Sequence, residues 1–161
     1  MAIDQFSHSL PMMLYRTLDV VMPRFRKIFS EFGITEQQWR VLRVLWELDA
    51  VTINRLAELT LIPPPSLVGV VDRLERDELV IRQRSQADRR KVNVVLIAKG
   101  VELEDQVMPR VGAAYADLKG SVDTEAWQRV LQGLQDIVAT EKQRSSFVGT
   151  QRGAKVGKQG V

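Results

Sequence analysis

The sequence contains no cysteine and a single histidine, His8. Without thiols the chain cannot form disulfides, thiolate metal sites or cysteine nucleophiles, and one histidine cannot build a typical zinc site. No Ser/His/Asp arrangement, glycine-rich phosphate loop or paired-carboxylate motif stands out. We therefore expect a protein that is not an enzyme and that holds no metal or cofactor.

Long apolar runs are also missing. The segment Met1–Leu10 lacks the basic start and apolar core of a signal peptide, and no later stretch approaches ~18 uninterrupted apolar residues. We expect no export by that route and no membrane span, and the lack of cysteine fits a cytoplasmic setting. A chain of 161 residues can bury the core of one domain without covalent staples.

The net excess of positive charge is small, but the charged residues are unevenly distributed along the chain. The net charge is +3, from 23 basic and 20 acidic residues. Residues 82–91, however, contain only one acidic residue, Asp88, and five basic residues: Arg82, Arg84, Arg89, Arg90 and Lys91. This local excess predicts a phosphate contact, which the overall charge alone would not suggest.

Apolar spacing predicts that the chain begins with a long amphipathic helix. Apolar residues recur every three or four positions over Leu10–Phe32, and Pro23 should kink or interrupt this helix. Gly33 is a typical helix stop. Thr35 and Gln38 have the spacing of a capping box, which predicts the start of a second helix.

The middle of the chain predicts a helix-turn-helix. Thr52 can cap a short helix, the prolines at 63–65 must break it, and Pro64 or Pro65 can open the next helix. One face of that next helix is apolar and is interpreted as core; it consists of Leu67, Val70, Val71 and Leu74.

A β-hairpin and two further helices are expected after it. The apolar, β-branched segments Leu79–Ile81 and Val92–Ile97 flank a polar, basic tip. A helix bent near Pro109 and Gly112 and a helix capped by Asp123 follow. Residues 145–161, with four glycines and no acid, are expected to form a disordered tail.

These elements predict a mainly α fold with a small β-wing. We expect a winged helix-turn-helix lobe over residues 35–97, with helical dimerisation regions at 1–34 and 98–144. The apolar stripes of the outer helices exceed what one small lobe can cover. The chain is therefore expected to form a homodimer.

Three motifs resemble those of the MarR family of winged-helix regulators. They are Leu56-Ala57, the stretch Leu74–Val80 and the wing motif Asp88-Arg89-Arg90, and the resemblance covers residues 9–144. Within the family the chain is most similar to repressors of homoprotocatechuate and related aromatic-acid degradation operons, through Ser9-Leu10 and Thr35–Val41. The resemblance implies a dimeric DNA-binding regulator that recognises a pseudo-palindromic operator in double-stranded DNA.

The family pattern implies that Arg90 enters the minor groove and that Asp88 orients it. Arg89 belongs to the same wing tip. Residues expected to face base edges occupy the early exposed positions of the recognition helix: Pro64, Pro65, Ser66, Val68 and Gly69. Arg73, Arg82 and Arg84 are expected to contact phosphates. The alternatives are a solvated charged hairpin and a winged-helix module that binds protein instead of DNA.

The subgroup resemblance further implies a small aromatic acid, or its thioester, as effector. Such an anion needs a cation, flat apolar walls and hydrogen-bond donors. The candidates are Arg16 and Arg40 as cations, Met13, Trp39 and Tyr115 as walls, and His8 and Ser9 as hydrogen-bonding groups. Alternatively, the two arginines form salt bridges across the dimer, Trp39 is ordinary core, and His8 caps a helix or lies in solvent.

Overall fold

The computed structural model describes residues 6–84 and 91–155, with side chains up to residue 144. In this part of the chain there are six helices and one small antiparallel sheet. The order is α1 Leu10–Glu31, α2 Glu36–Glu47, β1 Ala50–Thr52, α3 Ile53–Thr60, α4 Pro64–Arg76, β2 Val80–Arg84, β3 Val92–Leu96, α5 Ala98–Gly120 and α6 Thr124–Lys155. The expected mainly α fold with a β-wing is confirmed.

Helix α1 runs without interruption through Pro23. Proline removes one backbone donor, but the residues that follow it, Phe25, Ile28 and Phe29, bury their side chains. This burial holds the second half of the helix in place, so Pro23 does not interrupt the helix, which was one of the two effects predicted for it. The first half differs, because its apolar side chains from Leu10 to Leu18 remain largely exposed.

The junction between α1 and α2 follows the sequence closely. Gly33 has a positive φ of 69°, which glycine adopts without a steric cost. The backbone N–H of Gln38 donates to the hydroxyl of Thr35 at 3.2 Å, and that of Thr35 donates to the Gln38 side chain at 2.9 Å. The predicted capping box is confirmed.

The helix-turn-helix consists of α3 and α4. The Thr52 hydroxyl accepts from the backbone N–H of Arg55 at 3.3 Å and so caps α3 as predicted. After α3 the chain turns at Leu61, whose φ of 54° lies in the left-handed region. Pro64 and Pro65 then occupy the first turn of α4, where a missing N–H costs nothing.

The sheet has one strand more than the sequence predicts. Its order is β1-β3-β2, with Val51 paired to Val94 and Arg82 also paired to Val94 from the other side. The short strand β1 was not expected, because three residues carry no readable alternation. It forms because β3 offers a second edge, and Val51 and Val94 are both buried there.

The described chain divides into two compact units, residues 1–114 and 115–161. The first contains α1 to α4, the sheet and most of α5. Its core is formed by side chains that are less than 2% exposed: Phe29, Val41, Leu42, Leu45, Leu56, Leu67, Val70, Val71, Leu74, Val80, Val94 and Val107. Burying each such side chain contributes roughly 1.5–3 kcal/mol before entropy is subtracted.

The second unit is formed by the end of α5 and by α6. The Asp123 carboxylate accepts from the backbone N–H of Ala126 at 2.9 Å, as its predicted capping role requires. Apolar side chains of α6 such as Val130 and Val138 are more than half exposed. Helix α6 continues to Lys155, so the backbone is helical past residue 145, where the sequence predicts a disordered tail. Residues 156–161 lie outside the described residues.

Candidate nucleic-acid interface

Helix α4 presents two chemically different faces. Leu67, Val70, Val71 and Leu74 are fully buried, which confirms that they are core. The opposite face begins with the exposed side chains of Pro64, Pro65, Ser66 and Val68. A helix anchored along one side in this way presents the other side rigidly, which is what insertion into a major groove requires.

Gly69 and Arg73 lie one turn apart on the outer part of α4. A Cβ added to Gly69 would lie 3.7 Å from Nη1 of Arg73, which is an ordinary van der Waals distance. The Arg73 side chain therefore folds back along the helix toward Gly69. Its exposed guanidinium is placed beside the residues that were expected to face base edges.

Arg82, on β2, is held by two carboxylates of α4. Its guanidinium donates to Asp72 at 2.6 Å and to Glu75 at 2.5 Å, and its backbone N–H donates to Glu75 at 3.0 Å. Burial would lower the pKa of Arg82, but the hydrogen bonds and charges of the two carboxylates outweigh it and raise the pKa above its usual value. The sequence predicted a phosphate contact here and did not anticipate these partners.

Arg84 differs from Arg82, although both lie on β2. It is exposed at the end of the strand, where it pairs with Val92 across the ladder. The other expected wing contacts, Asp88, Arg89 and Arg90, lie outside the described residues. Arg73 and Arg84 are therefore the expected phosphate contacts that the structure describes as exposed.

Comparison with known proteins supports this architecture. Residues 34–92, which cover the helix-turn-helix and the start of β3, match the MarR family. The homoprotocatechuate degradative operon repressor of Escherichia coli is 32% identical over 140 residues, which are 87% of this chain and 95% of that protein. The chain belongs to the MarR family. It is a DNA-binding transcription regulator and not an enzyme.

Solved structures of MarR-like proteins have the same fold. The transcriptional regulator PA4135 has a TM-score of 0.74 at 32% identity, covering 80% of this chain and 95% of that one. NadR in complex with 4-hydroxyphenylacetate has a TM-score of 0.74 at 29% identity, covering 83% and 98%. The winged-helix interpretation of the sequence is thus confirmed.

Two of the expected effector residues have structural partners inside the MarR-like lobe. Trp39 stacks on Phe29 with ring centroids 4.8 Å apart, and meets Trp46 edge-on at 5.5 Å. The Arg40 guanidinium donates to the carbonyl oxygen of Thr60 at the end of α3. These contacts favour the alternative that was left open for Trp39, a place in the core.

The remaining expected effector residues differ in exposure and in local partners. His8, Met13 and Arg16 are exposed, and the Ser9 hydroxyl donates to the Phe6 carbonyl at 2.7 Å. Tyr115 begins the second unit, where its ring meets that of Trp127 edge-on at 5.7 Å. Of the two candidate cations, Arg16 is thus the more accessible.

The sequence interpretation missed a cavity of about 370 Å³ in the first unit. It is lined by residues that include Ile34, Leu79 and Leu103, by the acids Glu31, Asp77 and Glu102, and by Lys99. None of the expected effector residues lines it. Three carboxyl groups against one ammonium make it a poor match for an anionic aromatic acid.

Within residues 6–84 and 91–155, no helix is both long and apolar enough to cross a membrane. No group of three or more His, Asp or Glu side chains in those ranges could hold a metal ion.

Proposed function

We propose that this MarR-family regulator is a dimeric repressor that leaves its operator when a small aromatic acid, or the CoA thioester of one, binds. The observation that carries the operator part is the outer face of α4. Its residues Pro64, Pro65, Ser66 and Val68 are exposed, while the opposite face is fully buried. Val68 offers a methyl contact to thymine, and Ser66 offers a hydroxyl to any base edge.

Phosphate contacts supply most of the affinity in this proposal. Arg73 and Arg84 are exposed beside the outer face of α4 and at the end of β2. Asp88, Arg89 and Arg90 extend the charge in sequence, with Arg90 assigned to the minor groove. Because such regulators bind DNA inside the cell, the proposed setting is the cytoplasm.

The dimer is supported by unpartnered apolar side chains. On α1, Leu10, Leu14 and Leu18 are 46%, 39% and 52% exposed, and on α6 Val130 and Ile137 are 60% and 43% exposed. Exposed apolar helix faces of this kind are typical subunit contacts. A two-fold dimer sets its recognition helices about 34–36 Å apart, so the operator should be an imperfect palindrome with half-sites about one helical turn apart.

The effector class rests on relatives. The relative from Escherichia coli is named a homoprotocatechuate degradative operon repressor, and NadR was solved with 4-hydroxyphenylacetate. For this chain we assign the effector carboxylate to Arg16, and we keep Met13 and Tyr115 as candidate apolar groups and His8 and Ser9 as candidate polar groups. Trp39 and Arg40 contribute indirectly, by stabilising the packing of the first unit, because their side chains already have partners there.

Release requires that the effector prefers one dimer geometry over another. A ligand that binds the low-affinity geometry ~100-fold better shifts the equilibrium by about 2.7 kcal/mol. Such a shift is sufficient to release the operator when the regulator is present at a concentration near the dissociation constant of the regulator–operator complex. A ligand with equal affinity for both geometries would change nothing.

The test is a fluorescence anisotropy titration with the DNA upstream of the gene, repeated with hydroxylated aromatic acids and their CoA thioesters. We expect nanomolar specific binding, with a log-log salt slope near −7 for ~8 phosphate contacts, and release by one compound class. Weak binding that is blind to sequence would overturn the operator proposal. Specific binding that no aromatic acid releases would overturn only the effector class.

A further inference from the structure

The side chain of Arg82 links the two elements that face DNA. It projects from β2, the first strand of the wing, and reaches Asp72 and Glu75 on α4, the recognition helix. The Arg82 side chain is 27% exposed, whereas those of Asp72 and Glu75 are 58% and 37% exposed. The arginine is thus the least exposed of the three side chains, and both carboxylates are more accessible to solvent than the guanidinium.

This placement does not suit a phosphate contact. A guanidinium that already serves two carboxylates would have to give up one charge-assisted bond to meet a phosphate oxygen. The same two carboxylates would repel the phosphate at close range. Arg84 lies two residues further along the same strand, on the same face and exposed, and it makes no ion pair with a carboxylate of the described residues.

From this geometry we infer that Arg82 is a positioning residue for DNA recognition, which holds the wing at a fixed angle to α4. Three hydrogen bonds join one residue of β2 to two residues of α4, since the Arg82 backbone N–H also donates to Glu75. Asp72 and Glu75 lie one turn apart, so the fork of the guanidinium spans successive turns of the helix. The spacing between major-groove and minor-groove contacts depends on this link.

A second consequence concerns charge. Asp72 is exposed on α4 next to Arg73, on the side of the helix that would approach DNA. Arg82 neutralises part of this negative charge without touching the nucleic acid. Loss of Arg82 should therefore weaken binding to the operator without removing a phosphate contact.

The test is a double-mutant cycle on the full chain. Arg82→Gln is measured in the wild-type background and in an Asp72→Asn/Glu75→Gln background, with Arg84→Gln as the matched control on the same strand. In the wild-type background we expect Arg82→Gln to lower operator affinity about tenfold with an unchanged salt slope. In the background without the two carboxylates the same change should alter affinity less than about twofold. Arg84→Gln should reduce the salt slope by about one in both backgrounds.

Arg82→Lys separates positioning from charge. A lysine keeps the positive charge but cannot bridge two carboxylates with a planar fork, so it should restore operator affinity only in part. Full restoration, or a salt slope that Arg82→Gln reduces by about one, would identify a phosphate contact and overturn the inference.

A readout without DNA distinguishes this inference from the proposed operator binding on which it rests. The same cycle, applied to the free energy of unfolding, must show coupling between Arg82 and the carboxylate pair. Absence of coupling overturns the link itself. Coupling in stability with an equal loss of operator and non-specific affinity would reduce Arg82 to a merely structural role.

Discussion

Gly100 and Leu79 are in direct backbone contact, since a Cβ added to Gly100 would overlap the carbonyl oxygen of Leu79. The same carbonyl accepts the backbone N–H of Ile97 at 3.2 Å, and the carbonyl of Gly100 accepts the indole N–H of Trp46 at 2.9 Å. The start of α5 is thereby fixed against the residue that precedes β2. Any side chain at position 100 must push these segments apart.

Gly100→Ala should destabilise the protein by about 1–3 kcal/mol, because the overlap is with backbone and cannot be relieved by a rotamer change. Gly112→Ala is the matched control in the same helix, where nothing lies within 4 Å of the added carbon. The control should gain about 0.5–1 kcal/mol from the reduced freedom of the unfolded chain. Urea denaturation of both variants measures the difference, and equal stabilities would contradict the contact.

Gly69→Ala should separate stability from recognition. The added carbon meets Arg73 at 3.7 Å without a clash, so the helix should gain roughly 0.5–1 kcal/mol. If the backbone at Gly69 approaches DNA closely, the same methyl group should weaken operator binding. Thermal melting and anisotropy on one preparation give both values, and tighter operator binding would refute the close approach.

Arg73→Gln should reduce the salt slope of DNA binding by about one and weaken all sequences alike, as loss of one phosphate contact does. Arg129→Gln removes a similarly exposed arginine, on α6, that pairs only with its neighbour Glu125 among the contacts described. It should leave the slope unchanged. A drop in discrimination between sequences at constant slope would instead assign Arg73 to base edges.

Leu18→Glu should convert the dimer to monomer, because it places a charge in the exposed apolar face of α1. Leu48→Glu is the control, since Leu48 is 45% exposed at the end of α2, close to the 52% of Leu18. Analytical ultracentrifugation of both variants is the measurement. A Leu18→Glu variant that sediments like the wild type would remove α1 from the proposed interface.

Arg16 and Arg40 should respond differently to replacement by glutamine. Arg40→Gln removes a charged donor from the Thr60 carbonyl and should cost roughly 1.5–3 kcal/mol of stability, less where solvent screens the bond. Arg16→Gln should leave stability unchanged and raise the aromatic acid concentration needed for operator release. The opposite assignment would follow if Arg40→Gln alone shifted the release curve in a stably folded protein.

Local features of this protein were readable from the sequence. The capping box at Thr35 and Gln38, the stop at Gly33, the cap at Thr52 and the buried face of α4 all depend on residues within a few positions of each other. Periodicity and capping chemistry determine such elements wherever the chain then folds. The exposed face of the recognition helix followed directly, because it is the complement of the buried one.

Only the tertiary structure decided which distant groups meet. Strand β1 exists because β3, some forty residues later, offers an edge to it. Arg82 was expected to contact a DNA phosphate, but it donates to two carboxylates of α4. Arg40 was a candidate partner of an effector anion, but it donates to a carbonyl of α3. The ring of Trp39 contacts the rings of Phe29 and Trp46. Such partners are set by packing between elements, and a charge or ring in a sequence carries no record of which neighbour folding will bring to it.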